Sequence, residues 1–206
     1  MIRVAAVVLA AGRSSRFREA GGSEETKLVA SLDGKPIVRH VVEAALASCT
    51  RPVVVVVGHA RGAVEAAIAG LPATIAFNPD YATGLASSVR AGLAATPADV
   101  DGALMLLGDM PNVEARLIDA LIDAFEAQPN AQAVAPAQGG RRGNPVLLGR
   151  KLFDRARRLE GDEGARRLLA SLKECDIVEI ETPPGWDVLF DVDTPSDLAA
   201  ARGGSV

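Results

Sequence analysis

Val4-Ala5-Ala6-Val7-Val8-Leu9-Ala10-Ala11-Gly12-Arg13-Ser14-Ser15-Arg16 is the stretch on which the reading of the fold turns. An unbroken apolar run gives way to a loop of small, cationic and hydroxyl-bearing residues. A strand wetted on one face alternates polar and apolar residues, so this run fits a strand buried on both faces. Arg3 followed by Val4 to Ala11 also has the outline of a short secretory leader, but it runs directly into the glycine loop, which favours the strand.

Similar runs recur along the chain at Pro52 to Val57, Ala73 to Phe77, Ala103 to Leu107, Ala133 to Ala135 and Val146 to Leu148. Between them lie segments of helical period: Pro36 to Ser48, Ala60 to Ala69, Ala86 to Ala95 and Val113 to Ala127. Alternating strands and helices imply parallel pairing with helices on both faces. The expected fold is therefore α/β, a single doubly wound, mostly parallel, Rossmann-like sheet. After Pro136 the rhythm changes: Gly139 to Asn144 reads as a turn, Leu152 to Leu159 and Glu163 to Leu172 as Arg-rich helices, and Ile177 to Glu181 and Val188 to Phe190 as strands. Residues 1–202 are read as one domain with this C-terminal appendage, and 203–206 as a frayed tail.

Composition narrows the chemistry. Among 206 residues, 22 Lys and Arg face 26 Asp and Glu, a net charge of −4 that argues against an electrostatic nucleic-acid binder. Aromatic residues make up 3%, too few for base-stacking platforms, while 49% hydrophobic residues suffice for a core. No run reaches the ~20 apolar residues of a membrane span. Cys49 and Cys175 lack zinc-site spacing and no Asn-x-Ser/Thr sequon occurs, which points to a reducing, cytoplasmic setting. His40 and His59 form no zinc-hydrolase motif with acidic neighbours, which argues against zinc hydrolases and Ser-His-Asp or Cys-His sites.

In open α/β sheets ligands lie at the carboxyl ends of strands, so the loops there carry the candidate chemistry. Leu9, Ala10, Ala11, Gly12, Arg13, Ser14, Ser15 and Arg16, with Lys27 beyond, offer close backbone approach and positive charge to a polyphosphate; an ordinary Gly-rich turn explains the spacing equally well. Gly108-Asp109 ends a buried run and places a carboxylate where a hard cation could bind, or where it could merely cap a turn. Asp191 and Asp193 precede Thr194-Pro195, which reads as a helix cap or as a second pair of metal carboxylates. Asn78, Gly84, Ser87 and Ser88 enter a helix and suit a base edge or ribose, or a plain Ser cap.

In this order, the loops resemble the molybdopterin-type NTP transferases, most closely the molybdenum cofactor cytidylyltransferases. The signature Leu-Ala-[Ala/Gly]-Gly-x-Ser-x-Arg-[Met/Phe] is met by Leu9 to Phe17, Gly-Asp-[Met/Gln]-Pro by Gly108 to Pro111, and Asp-x-Asp-Thr-Pro by Asp191 to Pro195. Gly84 to Ser88 resembles the nucleoside-pocket segment, and Arg142 to Pro145 and Gly161 to Arg166 resemble segments facing the acceptor, among them Asn144, Asp162 and Arg166. One departure is that Arg18 to Thr26 separate Arg16 from Lys27, where members have only a few residues.

The resemblance implies a Mg²⁺-dependent (or Mn²⁺-dependent) nucleotidyltransferase. It would move CMP from CTP to the terminal phosphate of molybdopterin or molybdenum cofactor, releasing pyrophosphate. Asp109 with Asp191 or Asp193 would hold the metal, Arg16, Lys27 and Asp109 would be catalytic, and Ala11 tilts the nucleotide toward CTP over GTP. Arg155, Arg157, Arg158, Arg166 and Arg167 form a solvated face or a docking surface for the pterin phosphate or for a molybdenum hydroxylase apo-enzyme or its chaperone. Alternatives are a guanylyl, isoprenoid-precursor or sugar-phosphate nucleotidyltransferase, a non-catalytic cofactor chaperone and, last, a glycosyltransferase.

Overall fold

The computed structural model describes residues 2–203 except 163, 184 and 187, with the side chains of 166, 202 and 203 also outside the described set. The elements are β1 (Val4–Ala10), α1 (Ser15–Glu19), β2 (Ser31–Leu32), β3 (Lys35–Pro36), α2 (Ile37–Ala47), β4 (Val53–Val57), α3 (Arg61–Ala67), β5 (Thr74–Phe77) and α4 (Leu85–Ala95). They continue with β6 (Gly102–Leu107), α5 (Ala115–Ala127), β7 (Ala133–Gln138), β8 (Arg141–Arg142), β9 (Val146–Gly149), α6 (Phe153–Ala156), α7 (Ala165–Ala170), β10 (Ile177–Glu181) and α8 (Pro195–Gly203).

The main sheet has the order β10-β7-β9-β6-β1-β4-β5, with β8 beside β7. β1 pairs in parallel with both β4 and β6, whereas β9 runs antiparallel to β6 and β7. The fold is thus α/β with a mostly parallel sheet, as the alternation predicted. From β1 the chain steps outward through β4 to β5 and then returns to β6 on the other side of β1. That reversal opens a crevice over the carboxyl ends of β1 and β6, where the chain places its glycine loop and Asp109.

Period-2 geometry divides β1 between two cores. Val4, Ala6, Val8 and Ala10 pack with Val38, Val41, Val64, Ile118 and Leu121 from α2, α3 and α5. Ala5, Val7 and Leu9 meet Val89, Leu93, Phe153 and Leu168 from α4, α6 and α7. Burying each Val or Leu stabilises by about 1.5–3 kcal/mol, so a polar residue anywhere in β1 would be felt. A third cluster of Phe17, Leu32, Ile37, Val192 and Leu198 ties α1, the β2–β3 hairpin, α2 and α8 together beneath the crevice.

Three expectations need correction. Val188 to Phe190 is not a strand: the Val188 carbonyl accepts from the Asn144 N–H at 2.8 Å while its side chain is fully buried, so it plugs the core from a loop instead of joining a ladder. The Arg-rich helices are shorter than their period suggested, Phe153–Ala156 after a 3₁₀ turn and Ala165–Ala170. Glu163, the expected start of the second, lies outside the described residues. Of the expected tail, Gly203 closes α8 and 204–206 lie outside the described residues. No described helix is long and apolar enough to cross a membrane.

Candidate active site

Beyond β1 the chain turns at Ser14, whose left-handed backbone (φ 51°) starts α1 and swings Arg16 over the crevice. The Ser14 hydroxyl bonds Thr26 Oγ1 at 2.9 Å and accepts the Lys27 N–H at 3.2 Å. Thr26 is fully buried and also accepts from the Leu28 N–H. These bonds close the Arg18–Thr26 excursion and return Lys27 to the glycine loop despite the extra residues. Across the crevice, the Val192 N–H donates to the Asp109 carbonyl at 3.0 Å, which locks the Asp191–Asp193 segment beside the end of β6. Asp197 accepts from the Asp193 and Thr194 N–H groups at 3.1 and 2.7 Å, and Thr194 Oγ1 accepts from the Asp197 N–H; Thr194 caps α8, one of the two readings its sequence offered, and Asp197 completes the cap reciprocally.

Asp109, Asp191 and Asp193 each present a carboxylate oxygen within 4.8 Å of the others. Lys27 Nζ lies 2.7 Å from both Asp109 Oδ2 and Asp193 Oδ1, and Arg16 also pairs with Asp193. Lys27 is well buried at 12% side-chain exposure, while Arg16 is 76% exposed. Asp109 Oδ1 is buried without a hydrogen-bond partner. Three carboxylates against two side-chain cations leave this corner negative.

The electrostatics follow from that crowding. Burial works against the Lys27 ammonium, but Asp109 and Asp193 outweigh it and raise its pKa above the ordinary lysine value. Asp191 is pushed up by desolvation and then by the like charges of Asp109 and Asp193. Asp193 is likewise disfavoured by burial, yet Lys27 and Arg16 prevail and hold it below the usual carboxylate range. An all-oxygen donor set with one buried, unpartnered oxygen and surplus negative charge suits a hard divalent cation such as Mg²⁺ or Mn²⁺.

A cavity of about 460 Å³ adjoins this corner, within the range of small-molecule sites. Its walls bring together Leu9, Ala11, Gly12, Arg13, Ser14, Ser15, Arg16, Lys27, Gly84, Ser88, Asp109, Asp162 and Asp193 of the expected residues. Others sit behind the wall. Ala10 is wholly buried in the core. Asn78 is buried and donates to Ser87 Oγ at 2.8 Å and Ser88 Oγ at 3.1 Å, while the Ser87 hydroxyl donates to the Gly84 carbonyl. The Gly108 N–H is bonded to the Leu9 carbonyl at 3.0 Å. Asp191 belongs to the carboxylate cluster without lining the cavity, and Asn144 turns its N–H to Val188. The Arg166 side chain lies outside the described residues.

The structure adds Phe17, Leu28, Tyr81, Ala82, Leu85 and Leu107 to the wall. Several had legible clues: Phe17 ends the Leu9 to Phe17 signature, Leu85 lies within Gly84 to Ser88, and Tyr81 and Ala82 sit between Asn78 and Gly84. A Cβ on Gly58 would lie 2.6 Å from Tyr81 Cβ and 2.9 Å from Ala11 Cβ, so only glycine lets these two wall residues meet. Gly84 (φ 110°) starts α4, and a Cβ there would strike the Gly161 backbone at 2.2 Å. The Gly161 carbonyl in turn accepts the Ala86 N–H at 3.0 Å, fixing Asp162 on the far wall.

A glycine-rich loop, a carboxylate cluster and a cavity thus share the carboxyl end of an α/β sheet. Residues 6–175 match the MobA-like NTP transferase domain, and the chain belongs to that family. It is 30% identical over 153 residues to the bifunctional protein GlmU of Syntrophomonas wolfei, covering 74% of this chain and 32% of that protein. The chain therefore spans about a third of the length of that relative. Rv0371c from Mycobacterium tuberculosis superposes with a TM-score of 0.84 at 25% identity, covering 98% of each chain. Its structure in complex with manganese gives 0.81 at 25% identity, over 99% of this chain and all of that one.

Proposed function

We propose that this chain, acting as one unit in the cytoplasm, transfers CMP from CTP to the terminal phosphate of molybdopterin or molybdenum cofactor, releasing pyrophosphate. The observation that carries this reading is the juxtaposition of the Asp109, Asp191 and Asp193 oxygens with Lys27 and Arg16 at the mouth of the glycine-loop cavity. The signature from Leu9 to Phe17 supports the nucleotide, Ala11 supports cytidine, and the manganese complex of Rv0371c supports a divalent cation. Arg142 to Pro145 supports a pterin phosphate as acceptor through its likeness to the family segment.

An acceptor phosphomonoester, with its second pKa near ~6, is already largely dianionic at neutral pH. One of its oxygens forms the new bond to the α-phosphorus, the bond from that phosphorus to the β-phosphate bridge breaks, and pyrophosphate departs with the electron pair. No general base is required, and no histidine is among the described residues of the cavity wall. Asp109 with Asp191 or Asp193 would hold Mg²⁺ or Mn²⁺, which when bound supplies charge neutralisation at the α-phosphate. Backbone N–H groups of the glycine loop orient the triphosphate, and Arg16 and Lys27 hold the leaving pyrophosphate.

A pyrophosphate-release screen over four NTPs, with and without molybdopterin, tests the reading. Release with CTP that depends on the acceptor is expected. Preference for GTP would favour the guanylyl sibling, and tight pterin binding without pyrophosphate would favour a cofactor chaperone.

A further inference from the structure

Resting on the reading above, we infer that Lys27 is an internal counter-ion that latches the metal carboxylates, so that the site takes a divalent ion together with the triphosphate in preference to the ion alone. The starting observation is that both side chains expected to grip phosphate are spent on the carboxylates expected to grip metal. Lys27 bridges Asp109 and Asp193, and Arg16 holds Asp193 as well.

The dimensions fit an ammonium better than a bare ion. Nζ sits 2.7 Å from each oxygen, whereas Mg²⁺ draws oxygens to about 2.0–2.1 Å. The three carboxylates each bring an oxygen to within 4.8 Å of the others, so they converge on the small volume beside that ammonium. An ion drawing on Asp109 Oδ2 and Asp193 Oδ1 has to compete with the ammonium that already holds both. Asp109 Oδ1, buried and unpartnered, is the oxygen the ammonium does not serve.

The latch also has somewhere to go. Ser14 and Thr26 pin the backbone at Lys27 to the glycine loop, but the four-carbon stem remains a flexible tether and already lines the cavity. A triphosphate in that cavity offers new anionic partners to Lys27 and to the exposed Arg16. Moving both frees Asp109 and Asp193 for the ion, so each ligand favours the other, and the coupling is reciprocal.

The test is Mn²⁺ binding to the full chain without nucleotide, followed by electron paramagnetic resonance of the free ion. Lys27→Met and Arg16→Gln are compared with wild type, with folding checked by circular dichroism. The latch predicts that Lys27→Met binds Mn²⁺ at least about tenfold more tightly than wild type, a typical coupling, and that Arg16→Gln shifts affinity the same way by a smaller factor. Arg16 is exposed, so its variant remains informative even if Lys27→Met fails to fold. Equal or weaker Mn²⁺ binding by the folded variants would overturn the latch. Absence of Mn²⁺ binding in every protein, with CTP present as well, would overturn the metal reading and the latch with it.

Discussion

The two sides of the cavity are built on opposite principles. The corner formed by Asp109, Asp191, Asp193, Lys27 and Arg16 is charged, crowded with like groups and left with a buried oxygen unserved. The opposite wall, from Asn78 through Ser88, is nearly neutral, and its buried amide and hydroxyls satisfy one another. The first arrangement is unfavourable until ligands add charge; the second is finished before any ligand arrives. The charged corner is therefore the place to look for chemistry, and the neutral wall for shape.

That contrast can be broken by substitution. Asp109→Asn should have the largest effect, lowering acceptor-dependent pyrophosphate release by about a thousandfold or more, comparable to losing a major electrostatic stabiliser, with the circular dichroism spectrum retained. Undiminished release would remove Asp109 from the corner's chemistry. On the wall, Gly84→Ala places a Cβ against Gly161 and forces a strained φ, costing about 1–3 kcal/mol. At about 2–4 °C per kcal/mol for a chain this size, its melting temperature should fall by several degrees. Mn²⁺ affinity should hold.

Asn78→Ala should cost about 1–3 kcal/mol by removing the buried amide that donates to both Ser87 and Ser88. It should raise the KM for the nucleotide more than it lowers kcat; the reverse split would make the wall part of the chemistry. The smallest effect is expected at Asp197→Ala, about 1 kcal/mol for a lost cap. Thr194 hydrogen bonding outweighs burial and lowers the Asp197 pKa in the folded protein. A depressed folded pKa contributes stability that is present above the unfolded value of about 3.8–3.9 and is lost as pH falls through the folded one. The gap in stability between wild type and Asp197→Ala should therefore narrow in acid, as chemical denaturation at pH 7 and at pH 3 would show.

The sequence made legible what depends on local pattern. The Val and Ala runs of β1 and β4 announced strands buried on both faces, and Asp109 stood out because a carboxylate ends such a run. The Thr194 cap before Pro195 was equally local, although its reciprocal partner Asp197 went unread. What escaped depends on distant partners. The antiparallel β9 looks like any other apolar run, and only its pairing with β6 and β7 reverses its direction. Val188 to Phe190 has strand composition but finds its bonds at Asn144, and Tyr81 becomes a wall residue only because Gly58, far along the chain, leaves room for it. The nearness of Lys27 to the corner was obscured by Arg18 to Thr26, since the Ser14–Thr26 bond that closes the excursion is a tertiary contact.

The central claim is that the charged corner transfers a nucleotide, and radiolabel at the α-phosphate of CTP tests it most directly. With Mg²⁺ and molybdopterin, the label should appear on the pterin product with one pyrophosphate released per label transferred. Retention of all label in CTP, with molybdopterin bound but unaltered, would contradict it.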